Sequence, residues 1–231
     1  STPPPSTSNS INSTFSGTLV INGIANSAAG AGSVLAPGGP TTSNALINAN
    51  VVVNGTIELA DQGMGWANGF GTSRFNMGAL SGTGIIVANR NPSGNFGSVI
   101  VLGNTNDSGL FSGRIVRGSG RTNVIGVTKV GTGTQVFSGA NGYTGATNVN
   151  VGVLNIRHNT ALGTTAGGTT VASGAALQIE GDIAVGAEAL TLNGFGIAND
   201  GALRNMSGAN SYGGAITLGS AARINADAGM L

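Results

Sequence analysis

The chain has 231 residues, is 40% hydrophobic and only 7% charged, holds 42 glycines and no cysteine, and carries a formal net charge of +1. Glycine stands far above the ~7% of ordinary proteins, but no Gly-X-Y period runs through it, which excludes a collagen, and low charge with high apolar content is the reverse of a disordered composition. Without cysteine there is neither a disulfide framework nor a thiolate site, and no apolar run approaches the ~18 residues of a membrane-spanning helix.

Residues 1–14 are rich in Ser, Thr, Asn and Pro and read as an extended arm or linker, since Pro3, Pro4 and Pro5 favour polyproline II. No charged-then-apolar leader opens the chain, so a mature product whose signal peptide has been removed is expected. The first strand signal is Phe15 to Ile21, with Leu19 and Ile21 on one face. Its Phe-Ser-Gly opening recurs at Phe111-Ser112-Gly113 and Phe137-Ser138-Gly139, which argues for repetition. Residues 28–42 form a loop around Pro37-Gly38-Gly39-Pro40. Val51 to Leu59 places apolar pairs on either side of Asn54-Gly55, a type I′ turn in a hairpin or a corner in a solenoid, where both residues tolerate left-handed backbone.

Asp61 to Met77 departs from this pattern by gathering Met64, Trp66, Phe70, Phe75 and Met77 in a chain only 4% aromatic. Trp, Phe and Met favour interfaces, so these five are a candidate interaction surface; the alternative is that they cap or plug a core. Charge is uneven along the chain. Arg114, Arg117, Arg121 and Lys129 form a candidate basic patch in a middle segment, 114–157, that has no acid, and an acidic end follows it. Such a patch would steer subunits or polyanions, or else be an ordinary solvated face.

Residues 126–156 carry two alternating runs, Thr134 to Phe137 and Thr147 to Ile156, around the insert Ser138-Gly139-Ala140-Asn141-Gly142-Tyr143-Thr144-Gly145-Ala146. The insert returns 69 positions later at Ser207 to Ala215 with seven of nine residues identical, and a partial repeat is read over 201–219. Strand signals continue at Thr169 and Val171, Leu177 and Ile179, Leu190 and Leu192, and Ile216 and Leu218. Each meets a Gly or Asn-Gly corner. Gly133, Gly152, Gly174 and Gly201 head successive strands at intervals of 19, 22 and 27 residues. That spacing fits irregular solenoid coils, each burying its apolar face on the next. The fold expected over 15–231 is all-β, a right-handed parallel β-helix (β-solenoid) of eight to eleven coils at roughly 20–25 residues each.

Lys129-Val130-Gly131-Thr132-Gly133-Thr134, then Phe137 to Asn141, Tyr143-Thr144-Gly145 and Asn150 to Leu154 follow in order the pattern of a known family. The stretch resembles the autotransporter-associated β-strand repeat, or passenger-associated transport repeat, of bacterial surface proteins. It departs mildly, with Gln135 where the family usually has an apolar residue and Gly142 where it usually has a polar one. The resemblance implies a parallel β-helix in an exported, surface-attached or released protein, and no activity, because the repeat carries no catalytic residues.

The search for chemistry agrees. His158 is the lone histidine, no G-x-S-x-G elbow accompanies it, and one His without Cys cannot make a zinc site. Gly-x-Gly pairs are frequent but none completes a nucleotide-binding motif. Asn104 to Gly109 is similar to a calcium loop, yet it has one carboxylate and no closing glutamate, and reads better as an Asx-rich turn. Glu180 and Asp182 share a strand face as glycosidase carboxylates do, without a sugar-stacking aromatic beside them.

The reading is therefore a non-enzymatic structural or adhesive solenoid at a bacterial surface. It would need no cofactor and no metal. Its expected partners are further coils, other copies by end-to-end or lateral contact, or a surface polysaccharide, and not nucleic acid. A carbohydrate-active β-helix enzyme is the alternative. An ice-binding solenoid is set aside because Thr132-x-Thr134 is not echoed in register.

Overall fold

The computed structural model describes residues 16–26, 43–46, 48–59, 73–88, 97–119 and 124–231. The expected arm at 1–14 and the loop at 28–42 lie outside these residues. Among the described residues every strand pairing is parallel. The single helical element among them is a 3-10 turn, Ile197–Asn199.

The strands recur in a fixed cycle of three faces. The first coil is β1 (Ser16–Ile21), β2 (Ile24–Asn26) and β3 (Ser43–Leu46). The second is β4 (Asn48–Val53), β5 (Thr56–Leu59) and β6 (Ser73–Met77), and the third β7 (Leu80–Ser81), β8 (Ile85–Ala88) and β9 (Gly97–Leu102). The fourth is β10 (Gly109–Phe111), β11 (Arg114–Arg117) and β12 (Val124–Lys129). Coils five and six have two strands each: β13 (Thr134–Phe137) with β14 (Thr147–Val149), and β15 (Val153–Ile156) with β16 (Thr169–Val171). The seventh is β17 (Ala176–Glu180), β18 (Ala184–Val185) and β19 (Leu190–Gly194). The eighth is β20 (Leu203–Ser207), β21 (Ser211–Tyr212) and β22 (Ile216–Ala222), and β23 (Ile224–Ala226) begins a ninth.

Stacked, these give the three walls of a parallel β-helix. The first runs β1-β4-β7, crosses a single bridge from Gly82 to Phe111, and continues β10-β13-β15-β17-β20-β23. The second is β2-β5-β8-β11, bridged from Val116 to Gly142, and resumes as β18-β21. The third is the unbroken eight-strand ladder from β3 to β22.

Coil length varies more than the sequence intervals indicate. Register partners are 19 residues apart at Thr134 and Val153 but 32 apart at Ser16 and Asn48. The early coils are longer because their second and third walls are joined by residues 27–42, 60–72 and 89–96, where coil five needs only the short corner at 143–146. Closing a longer connection adds little entropic cost, so the ladder tolerates them.

Alternation puts the branched and aromatic side chains inside. Val51, Leu80, Phe111, Phe137, Leu154 and Leu177 face inward from the first wall. Phe111 and Phe137, in register on adjacent coils, meet edge-to-face at 6.5 Å, the arrangement that aromatic quadrupoles prefer. Their Phe-Ser-Gly contexts are therefore structurally equivalent. The first copy is not, because Ser16-Gly17 opens β1 whereas Ser112-Gly113 follows β10.

Asn54-Gly55 does form a corner, with both amides donating to the carbonyl of Ile21 in the coil before. The reason differs from the expected one. Neither residue has left-handed backbone; a Cβ on Gly55 would lie 2.0 Å from the Gly23 carbonyl oxygen, so the close approach of the neighbouring coil demands glycine.

Candidate functional site

The repeat-like segment 126–156 uses its polar residues inside the helix rather than on its surface. Lys129 ends β12 in register with Leu102 and Val149, both core residues, and is itself 1% exposed. Its ammonium donates to the carbonyls of Val130 (2.6 Å), Gly131 (2.7 Å) and Val151 (3.3 Å). Desolvation pushes its pKa down to about 8. Lys129 therefore does not belong to an exposed basic patch: strand alternation turns it inward, and corner carbonyls accept its hydrogen bonds. Of the other three patch residues, Arg114 and Arg117 are exposed on β11 and Arg121 lies outside the described residues.

Gln135, also inward on β13, reaches back two coils. Its Oε1 accepts from the Leu80 amide (3.0 Å), and its Nε2 donates to the carbonyls of Leu80 (2.8 Å) and Gly109 (3.2 Å).

Asn141 does related work at the next corner. Its Oδ1 accepts from the Ile115 amide (2.8 Å) in coil four, and its Nδ2 donates to the Ala161 carbonyl (2.7 Å) in coil six. The duplicated insert explains its downstream counterpart. Asn210, 69 positions on, accepts from the Ile183 amide (2.7 Å) of coil seven and donates to the Ser207 carbonyl (2.7 Å) and to Asn205. In coil five the insert thus carries the stack past the second wall, where strand pairing lapses to one bridge, and in coil eight it contributes β21 to that wall.

The tyrosine of each insert enters the same interior corner. Tyr143 is fully buried with its hydroxyl 2.7 Å from Thr147 Oγ1, and burial pushes its phenol pKa well above the ordinary value. Thr147 is in register with Thr169, whose hydroxyl donates to Glu188 Oε1 (3.3 Å). Glu188 is 3% exposed, and burial raises its pKa. Sequence alone assigns no role to Glu188, Asn141, Asn210 or Tyr212. The duplication is the one signal that points to Asn141, Asn210 and Tyr212, because it keeps Asn and Tyr in a stretch that a solvent-facing turn would not constrain; Glu188 lies outside both copies.

The other candidates are held singly. Among the aromatic group, Phe75 and Met77 are core residues of β6, 7% and 4% exposed, so these two plug the interior; Met64, Trp66 and Phe70 lie outside the described residues. Glu180 pairs with Arg157 at 3.1 Å, while Asp182 accepts from the Ala209 amide at 2.7 Å, so the two carboxylates serve different neighbours. His158 Nδ1 faces the Thr160 amide at 3.1 Å within an exposed turn. Asp107 accepts from Asn50 Nδ2 (2.8 Å), and Asn106 and Ser108 accept from the amides of Thr132 and Thr134. The Asn104 to Gly109 stretch therefore works as a turn that clamps adjacent coils. Among the described residues no three His, Cys, Asp or Glu side chains gather to hold a metal ion, and no helix is long and apolar enough to cross a membrane.

Residues 127–156, from the approach to the Lys129 cradle through β15, match the family model of the passenger-associated-transport-repeat. Over this stretch the chain is similar to a passenger-associated transport repeat. The repeat spans one full coil, from β12 through β13 and β14 into β15, and Lys129, Asn141 and Tyr143 are its interior anchors. No curated protein and no solved structure matches the chain. The match covers 30 of the 231 residues and is to a repeat found in passenger proteins.

Proposed function

We propose that the chain is a non-catalytic structural or adhesive segment of such a passenger, working outside the cell as a rod that presents extended surface. The observation that supports this reading is the use of its polar and ionisable groups. Lys129, Gln135, Asn141, Glu180, Asp182 and Asn210 are each engaged with backbone or a neighbouring side chain, and none converges with another on a cleft. Binding then falls to the outer walls, and a surface polysaccharide or another passenger is the kind of partner such walls meet. The test is display of the chain on bacterial cells behind an export signal and a translocation unit. Protease-accessible protein and adherence that survive E180Q, D182N and H158A are expected. Polysaccharide hydrolysis lost in E180Q would overturn the reading in favour of a carbohydrate-active enzyme.

A second reading, assembly of copies end to end, has its own observation. The last edge, β22 and β23, leaves Ile216, Leu218 and Ile224 exposed, and the first leaves Val20 and Ile24 exposed. Both edges belong to the same three walls, so the last is a template for another parallel strand, from a further coil or from a second copy. Sedimentation of the 1–231 chain at micromolar concentration distinguishes them. Assembly that Ile224→Pro abolishes supports the filament; a monomeric wild type removes it.

A further inference from the structure

The buried hydroxyls and carboxyl at the corner between the second and third walls form a string through four coils. Tyr143 and Thr147 belong to coil five, Thr169 to coil six, Glu188 to coil seven and Tyr212 to coil eight. Glu188 has one side-chain partner, Thr169, at 3.3 Å. The backbone of coil eight packs directly on the backbone of Glu188: a Cβ on Gly214 would lie 1.7 Å from the Glu188 main-chain carbonyl oxygen. Burial pushes the Tyr212 phenol up, the charge of Glu188 adds to this, and the buried hydroxyl has no hydrogen-bond partner.

Among the described residues no Lys or Arg pairs with this carboxyl. Lys129 is held by carbonyls, Arg157 by Glu180, Arg204 by Asp200 and Asp227, and Arg223 donates to the Asn199 carbonyl, which accounts for every basic Lys and Arg described from 124 to 231. The titratable groups facing Glu188 are the two phenols, Tyr143 and Tyr212, and Thr169 and Gly214 bring no charge. A carboxylate buried without a counter-ion is costly, whereas a neutral carboxyl adds a donor to a corner that holds a hydroxyl without a partner.

We propose that Glu188 is an interior acid switch that holds coils five to eight together when protonated and loosens their shared corner when ionised, so that this part of the rod is tightest in acid. In the unfolded chain the same carboxyl ionises at the ordinary glutamate value. Stability is therefore fully present below that value and is lost as pH rises through the higher folded one. Each pH unit between the two lowers the folded-to-unfolded ratio tenfold.

The sequence makes the test direct, since Glu58, Glu180 and Glu188 are its only glutamates. In the full chain labelled with 13C at the glutamate carboxyls, one resonance should titrate above the ordinary glutamate range and be missing in E188Q. The unfolding midpoint of the wild type should fall with rising pH relative to that of E188Q. Should E188Q not fold, amide protection factors in the wild type decide: those of 183–190 and 211–216 should drop through the same midpoint. Three glutamates titrating in the ordinary range, parallel pH curves for the two proteins, or protection flat across the transition would each overturn the switch.

Discussion

Lys129 shows how a single residue can be misread from sequence and still be central. Its charge marks it as surface, while its parity on β12 marks it as core, and the structure resolves the conflict with three carbonyls. Because its folded pKa is depressed to about 8, the unfolded chain binds more protons between that value and the ordinary lysine value. Stability contributed by this site should therefore rise with pH across that interval, opposite in sign to Glu188. Lys129→Met should remove the rise, read as urea midpoints of the two proteins from pH 7 to 10; equal slopes would show that the amine is not desolvated. Asn141 offers a plainer loss. Asn141→Ala leaves the Ile115 amide and the Ala161 carbonyl without these partners and should cost about 2–6 kcal/mol, the sum expected for two buried unsatisfied groups. Denaturant unfolding of the variant measures it, and Asn210→Ala should behave alike.

At the scale of elements, the strands were legible and their stitching was not. Thr134 to Phe137 is a strand with the expected bounds, and Thr169, Val171, Leu177 and Ile179 face inward as their alternation requires. Period-two alternation reports only which side of a wall a residue faces. It cannot report that Gln135 will reach Leu80, 55 positions earlier, because that contact depends on coil length. The departure from the family pattern at Gln135 has a local cause. β7 is two residues long and meets β10 through one bridge, so the Leu80 amide and carbonyl are completed by the Gln135 side chain. Gly109, in register with Gln135, keeps the path open, and a Cβ there would lie 2.4 Å from the Leu80 oxygen. Gln135→Leu restores the family's apolar character and should nevertheless destabilise the rod by roughly 2–4 kcal/mol. A thermal unfolding midpoint unchanged or raised in that variant would contradict the stitching role.

Across the whole molecule the two halves are built differently. In coils one to four the corner between the second and third walls is spanned in sequence by residues 27–42, 60–72, 89–96 and 120–123. Coils five to eight turn that corner within described residues and carry the Tyr143 to Glu188 string through it. In a solenoid each coil contacts only its neighbours, so stability is local and need not be uniform. Long connections between strands are where nicking is tolerated, and a paired, buried backbone resists it. Trypsin provides the contrast, because Arg90 and Arg121 lie between second-wall and third-wall strands, in the connections from β8 to β9 and from β11 to β12. Downstream, Lys129 is buried, Arg157 and Arg204 are in ion pairs, and Arg223 is bonded to the Asn199 carbonyl. Limited digestion should cut after Arg121 first and leave a resistant fragment of residues 122–231, identified by its amino-terminal sequence and mass. Asn141→Ala, which unpins coil five from coils four and six, should make that fragment short-lived. Cleavage after Arg157 or Arg204 at a rate matching Arg121 would mean that the repeat does not anchor the more stable half.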